Sequence, residues 1–183
     1  MLVAEAQRQM RQTYRGGLPG QLVSGGLWLA SAAAATWGSH TLAVVVLALG
    51  GCFIFPLTML ALRLAGRPAT TPKGNPLNAL AMQVAFTVPL ALPVVLALAR
   101  RAPEWFYPAT MIVVGAHYLP FVFLYGMWQW AALAAVLLGA GLVLGAYVPL
   151  GFAAGGWFTG AALVAFAFAG WRVVLAEERR AAE

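Results

Sequence analysis

The sequence predicts an all-α fold, a polytopic transmembrane helix bundle of about six spans with an N-terminal interfacial amphipathic helix. Three observations predict it. Charged residues make up 9% of the chain and hydrophobic residues 62%, whereas a soluble domain carries about 25% charged residues. All five acidic residues, Glu5, Glu104, Glu177, Glu178 and Glu183, lie outside the long apolar runs, and the chain contains no aspartate. The runs themselves are too long and too numerous to be buried core helices. This composition suits hydrocarbon rather than water.

Residues 1–18 form the interfacial segment. Leu2, Ala6 and Met10 recur every fourth residue, as do Met10 and Tyr14, while Arg8, Arg11 and Arg15 face elsewhere. Such a helix lies on the inner membrane surface with its arginines near lipid phosphates. Gly16-Gly17-Leu18-Pro19-Gly20 then turns the chain into the bilayer, where residues 19–176 make the six-span bundle. The first span, about 19–37, ends in Thr36-Trp37. A cleaved signal peptide is the competing reading, because Ala33-Ala34-Ala35 resembles a small-residue cleavage site, but the charged leader is long and further spans follow. Gly38-Ser39-His40 is an uncharged turn, and the second span, about 41–63, closes on Arg63. Arg67, Pro68, Pro72 and Lys73 mark a cationic loop. Asn75 caps the third span, about 76–99, and Pro76 sits in its first turn, where a missing N–H costs nothing. That span contains Pro89 and Pro93 and ends at Arg100 and Arg101. The fourth, about 105–125, opens with Trp105-Phe106-Tyr107, a cluster suited to the headgroup belt. The fifth, about 127–148, begins beside the interfacial Trp128 and Trp130, and Pro149-Leu150-Gly151 turns the chain into the sixth, about 152–175. Residues 177–183 are a solvated cytoplasmic tail.

Charge fixes the orientation. With the N-terminus inside, Arg8, Arg11, Arg15, Arg63, Arg67, Lys73, Arg172, Arg179 and Arg180 are cytoplasmic, and only Arg100 and Arg101 are outside. Nine cations against two satisfy the positive-inside bias, and the reversed topology inverts it. Both termini are therefore expected in the cytoplasm. The same bias accounts for the net charge of +6; no basic stripe is interleaved with aromatics, so nucleic acid is not an expected partner. Cys52 is the sole cysteine, which rules out an internal disulfide and gives no zinc site.

Polar residues inside the spans need a reason, because hydrocarbon offers them no partner. Gln83 lies about 10 Å from the start of the third span, and His117 about 12 Å from the end of the fourth, at 1.5 Å per residue. The two share a layer. Gln21, Ser24, Arg63, Asn78 and Tyr118 sit above or beside them in the cytoplasmic half, while the outer half is almost purely apolar. A cytoplasm-facing polar pocket built from Gln21, Ser24, Arg63, Asn78, Gln83, His117 and Tyr118 could hold a small polar or anionic ligand, with His117 responsive to pH. The alternative is that these groups bond one another and fasten neighbouring helices. Pro120 frees the carbonyl of Ala116, and a kink there could bring His117 and Tyr118 to that acceptor or mark a hinge.

The absent carboxylates exclude much. Without a membrane-embedded Asp or Glu, carboxylate-coupled cation transport, paired-carboxylate hydrolysis and carboxylate metal clusters have no support. No catalytic residue, metal ligand or cofactor is expected. Ser24 and Ser31 have no His-plus-acid constellation nearby in sequence. The pairs Gly141/Gly145, Gly151/Gly155 and Gly156/Gly160 permit close helix approach, either within the chain or in a homo-oligomer.

Several strings belong together: Gly16-Gly17-Leu18-Pro19-Gly20-Gln21-Leu22-Val23-Ser24-Gly25, Phe55-Pro56-Leu57 with Arg63 and Arg67-Pro68, Gly74-Asn75-Pro76-Leu77, and Gly115-Ala116-His117-Tyr118-Leu119-Pro120 followed by Leu124-Tyr125-Gly126-Met127. This set resembles a family of small bacterial integral membrane proteins known only as a domain of unknown function, over nearly the whole chain. The resemblance implies a bacterial cytoplasmic (inner) membrane protein and carries over no activity and no functional residues. Three roles remain open. They are a small-solute transporter, channel or sensor using the polar pocket, a structural or assembly partner of another membrane protein, and a lipid-modifying enzyme with His117 as base.

Overall fold

The computed structural model describes residues 1–67, 71, 72, 74–148 and 150–180. Pro68 and Lys73 of the expected cationic loop, Pro149 of the expected turn and Glu183 of the expected tail lie outside the described residues. Among the described residues the chain forms helices and no strand. In order these are α1 (Val3–Tyr14), α2 (Leu18–Trp37), α3 (His40–Gly51), α4 (Ile54–Leu64), α5 (Leu77–Arg101), α6 (Phe106–Tyr125), α7 (Gln129–Ala146) and α8 (Ala154–Arg180). Single tight turns at Arg15–Gly17 and Pro103–Trp105 precede α2 and α6.

Four segments are long and apolar enough to cross a membrane: Leu77–Arg101, Pro103–Tyr125, Gln129–Ala146 and Ala154–Ala176. Together α3 and α4 make a fifth if the bent pair counts as one span. The segment expected as the second span over 41–63 is bent, its two halves meeting at 58°. Pro56 explains the break. It cannot donate a helical hydrogen bond, and its ring collides with the carbonyl four residues back, that of Cys52. The chain tightens just there, with Cys52 N–H donating to Leu49 O at 3.1 Å and Phe53 N–H to Gly50 O at 2.9 Å. α8 continues as helix to Arg180, into the residues expected as the tail.

The 20-residue α2 is not among the segments apolar enough to span on composition. Its polar members have gone inside: Gln21, Ser24 and Ser31 are all buried. They face other helices, where the bundle rather than lipid surrounds them. α2 packs along α8 and also holds α3 and α4, while α6 packs along α7 and holds α5. Glycine allows both long contacts. A Cβ on Gly25 would stand 3.3 Å from the Gly160 carbonyl oxygen, and one on Gly115 would stand 3.2 Å from that of Ala134. Gly141, Gly145, Gly155, Gly156 and Gly160 all abut neighbours within the chain, whereas Gly151 has open space around it. Large side chains fill the seam between the two groups. Trp28 of α2 lies 5.9 Å from the Tyr107 ring of α6, and Phe152, just before α8, packs 5.2 Å from the same ring.

α1 packs against the rest of the chain. Ala6, Met10 and Thr13 are buried, and two side chains reach the end of α6: Gln7 Nε2 donates to Phe123 O and Arg11 Nη1 to Tyr125 O, both at 2.6 Å. The last carbonyls of a helix have no partner of their own, and its C-terminus favours a cation. Arg11 therefore has a partner within the protein. Arg15 lies over the Trp171 ring at 5.3 Å, and Arg8 is exposed. Asn75 ties α1 to α5, donating to Ala6 O at 3.0 Å and Gln9 Oε1 at 3.1 Å while its Oδ1 accepts the Leu77 N–H at 2.9 Å. That last bond holds the first N–H of α5 from one residue before the cap position, which is Pro76 rather than the expected Asn75.

Between α1 and α2, Arg15, Gly16 and Gly17 all have positive φ, of 48°, 64° and 83°. Gly17 could not carry a side chain, since a Cβ would fall 2.9 Å from Trp130 Cζ2. Gly26, exposed on α2, has nothing within 4 Å of such a Cβ. Gly17→Ala should therefore destabilise the folded protein by about 1–3 kcal/mol, with Gly26→Ala neutral or slightly stabilising. Reversible unfolding in bicelles measures both.

Candidate functional site

The seven polar residues expected around one pocket fall into three places. The interior group is Gln21, Ser24 and Tyr118, which are 4%, 6% and 5% exposed. α2 and α6 bring them together, with the Ser24 side chain beside that of Tyr118. Tyr118 also packs at 5.1 Å from Trp130 and 5.4 Å from Phe121. Those rings continue to Tyr125, 5.9 Å from Trp130, so an aromatic wall stands between α6 and the start of α7. Gln21 lines a cavity with Leu18, Gln129, Trp130, Leu133 and Phe166, whose volume of about 10 Å³ has room for a single water molecule. The Trp130 Nε1–H is buried there without a protein partner.

The second group is on the flank where α5 meets α6. His117 Nδ1 and Thr87 Oγ1 are 2.8 Å apart. Thr87 has one hydroxyl proton and donates it to Val84 O at 2.8 Å, so His117 must supply the proton of its own contact. Its Nδ1 is then the donor and Nε2 is left as an acceptor. Neither His117 nor Tyr118 depends on the carbonyl freed by Pro120, and α6 runs through that proline as one helix. Gln83, one turn before Thr87 on α5, is exposed and has no hydrogen-bond partner among the described residues. It does not share the contacts of His117.

The third group is at the helix ends. Arg63 is exposed in the last turn of α4, where its charge complements the helix dipole. Asn78, in the first turn of α5, accepts a hydrogen bond from Thr71.

Several polar contacts had no counterpart in the sequence reading. Ser31 is buried between α2, α3 and α6. Its hydroxyl donates to Ala43 O at 2.8 Å and therefore accepts from Tyr107 Oη at 2.6 Å. The available signal was spacing: Ser31 follows Ser24 by seven residues, two turns of one helix face. Thr87 likewise follows Gln83 by four. Thr159 Oγ1 and Arg15 Nε are buried without a partner, and only packing reveals them. Among the described residues no three His, Cys, Asp or Glu side chains gather where they could hold a metal ion. Chemically the interior offers neutral hydrogen bonds and aromatic faces.

Over residues 3–173 the chain matches a family described as "Family of unknown function (DUF7010)". No curated protein and no solved structure matches it.

If the Ser31–Tyr107 bond fastens α2 to α6, the pair should be coupled. Ser31→Ala and Tyr107→Phe should each destabilise, and the double variant should lose less than their sum by about 0.6–1.7 kcal/mol. Bicelle unfolding of the four proteins checks this, and additive losses would deny the bond an energetic role.

Proposed function

The chain belongs to this family of unknown function, and we propose that it is a six-span protein of the bacterial cytoplasmic membrane that acts by assembling with a membrane protein partner. It does not pass a solute through its core. One observation carries the reading. Where a solute path would run, between α2 and α6, the space is filled by Trp28, Tyr107, Tyr118 and Trp130, and the cavity beside Gln21 has room for one water. The unpaired polar side chain Gln83 stands on the outside instead.

Six spans follow if α2 is counted. Its 20 residues reach about 30 Å, the thickness of the hydrocarbon layer, and its composition is that of a helix whose polar face is shared with α6. The nine-to-two distribution of cations puts both ends in the cytoplasm.

A second reading has a specific observation in its favour. Trp130 Nε1 and Arg15 Nε are buried donors without partners among the described residues, and both residues lie beside Leu18. They could receive a small polar or anionic ligand if α1 swung away from the cytoplasmic ends of α5 and α6.

Thiol accessibility separates the two. In a Cys52→Ser background, Ser24→Cys and Arg63→Cys are exposed to a water-soluble methanethiosulfonate from the cytoplasmic side of membrane vesicles. The assembly role expects Ser24→Cys to react at least about 100-fold more slowly than Arg63→Cys. Comparable rates would mean that water reaches the seam, and would favour the ligand-binding reading.

A further inference from the structure

We infer that the outer face of α5 is the contact surface of a homodimer, in which the Gln83 amide of one copy pairs with Gln83 of a second. This rests on the assembly role proposed above and names its partner.

The starting point is how little of α5 the rest of the chain covers. The helix packs on α6, and α1 touches its first turns. Gln83, Phe86, Leu90, Pro93 and Ala97 are all exposed, and they follow one another at i, i+3, i+7, i+10 and i+14. That spacing keeps one seam facing a partner helix along its length. Leu90 is 75% exposed and Phe86 55%. Apolar side chains alone would be content against lipid. Gln83 is not, because it lies about 9 Å along the helix from Leu77, within the hydrocarbon of a spanning α5. An amide there with no partner forfeits the hydrogen bonds that water would give it.

The covering group must therefore bring both a donor and an acceptor. Thr87 cannot serve, since its one proton goes to Val84 and it has none left to donate. A second copy supplies what is needed without any further requirement. All copies insert in the same orientation, so a twofold axis along the membrane normal places any residue of α5 opposite itself at the same depth. The carboxamide carries a donor and an acceptor side by side, and two related by such an axis satisfy each other, which is the self-complementarity an isologous interface demands. No charged residue lies between Leu77 and Ala99 to oppose the approach. Arg100 and Arg101 fall at the watery end of the helix.

The test uses the full chain in native membrane vesicles, in a Cys52→Ser background, with Leu90→Cys as reporter and Leu142→Cys on exposed α7 as control. Copper–phenanthroline oxidation should link Leu90→Cys into a disulfide dimer at least about 10-fold faster than Leu142→Cys. Adding Gln83→Leu should slow that link about 5–10-fold, and Gln83→Asn, which keeps an amide, should restore much of it. Equal rates for Leu90→Cys and Leu142→Cys, or no effect of Gln83→Leu, would overturn the dimer. Should the dimer fail while Ser24→Cys stays protected in the seam experiment, assembly stands with a different partner. Should Ser24→Cys label freely, the assembly role falls by itself.

Discussion

Hydrocarbon gives a polar group nothing to bond, so a chain that lives in it has to close its hydrogen bonds internally. In this protein that constraint reaches well beyond the helical backbone. The final carbonyls of α6 are met by Gln7 and Arg11 from α1. The Ser31 hydroxyl spends its proton on Ala43 and its lone pair on Tyr107. Thr87 holds Val84 and His117 together. Each of these bonds joins segments distant in sequence or stops a polar atom from facing lipid, and the packing of helices follows from where such atoms had to go.

α2 shows the consequence most plainly. Judged by composition it is the weakest of the expected spans, yet it is the helix against which α3, α4 and α8 are built. A helix wrapped by its own protein can hold glutamine and serine; one that the chain leaves largely uncovered, such as α5, has no such shelter. The exposed row Met82, Phe86, Leu90 and Val94 on α5 obeys that rule, and Gln83 is its exception. Hydropathy read helix by helix thus undervalues a helix that its neighbours enclose.

Much of the architecture was legible in the sequence because the cues were local. The Asn75-Pro76 start of α5, its run through Pro89 and Pro93 to the arginine pair, and the glycine hinge before α2 all depend on residues within a turn or two of one another. The break between α3 and α4 was also written in Pro56 and Gly50-Gly51, but unbroken apolarity across 41–63 masked it. The candidate site was less readable, for a geometric reason. Counting residues gives depth along a helix and says nothing of rotation about its axis. Gln83 and His117 were expected in one layer, yet one is exposed on α5 and the other turns to Thr87. The partners of Arg11 and Ser31 lie 114 and 76 residues away, beyond the reach of any periodicity.

The central claim is that α2 crosses the membrane inside the bundle, and the position of the α2–α3 turn tests it most directly. In intact cells, with Cys52→Ser as background, a membrane-impermeant maleimide should label Ser39→Cys and Leu150→Cys from outside. Gly66→Cys and Trp128→Cys should react only after permeabilisation. If Ser39→Cys reacted only from the cytoplasm, α2 would not span, and the buried polar face described here would need another cause.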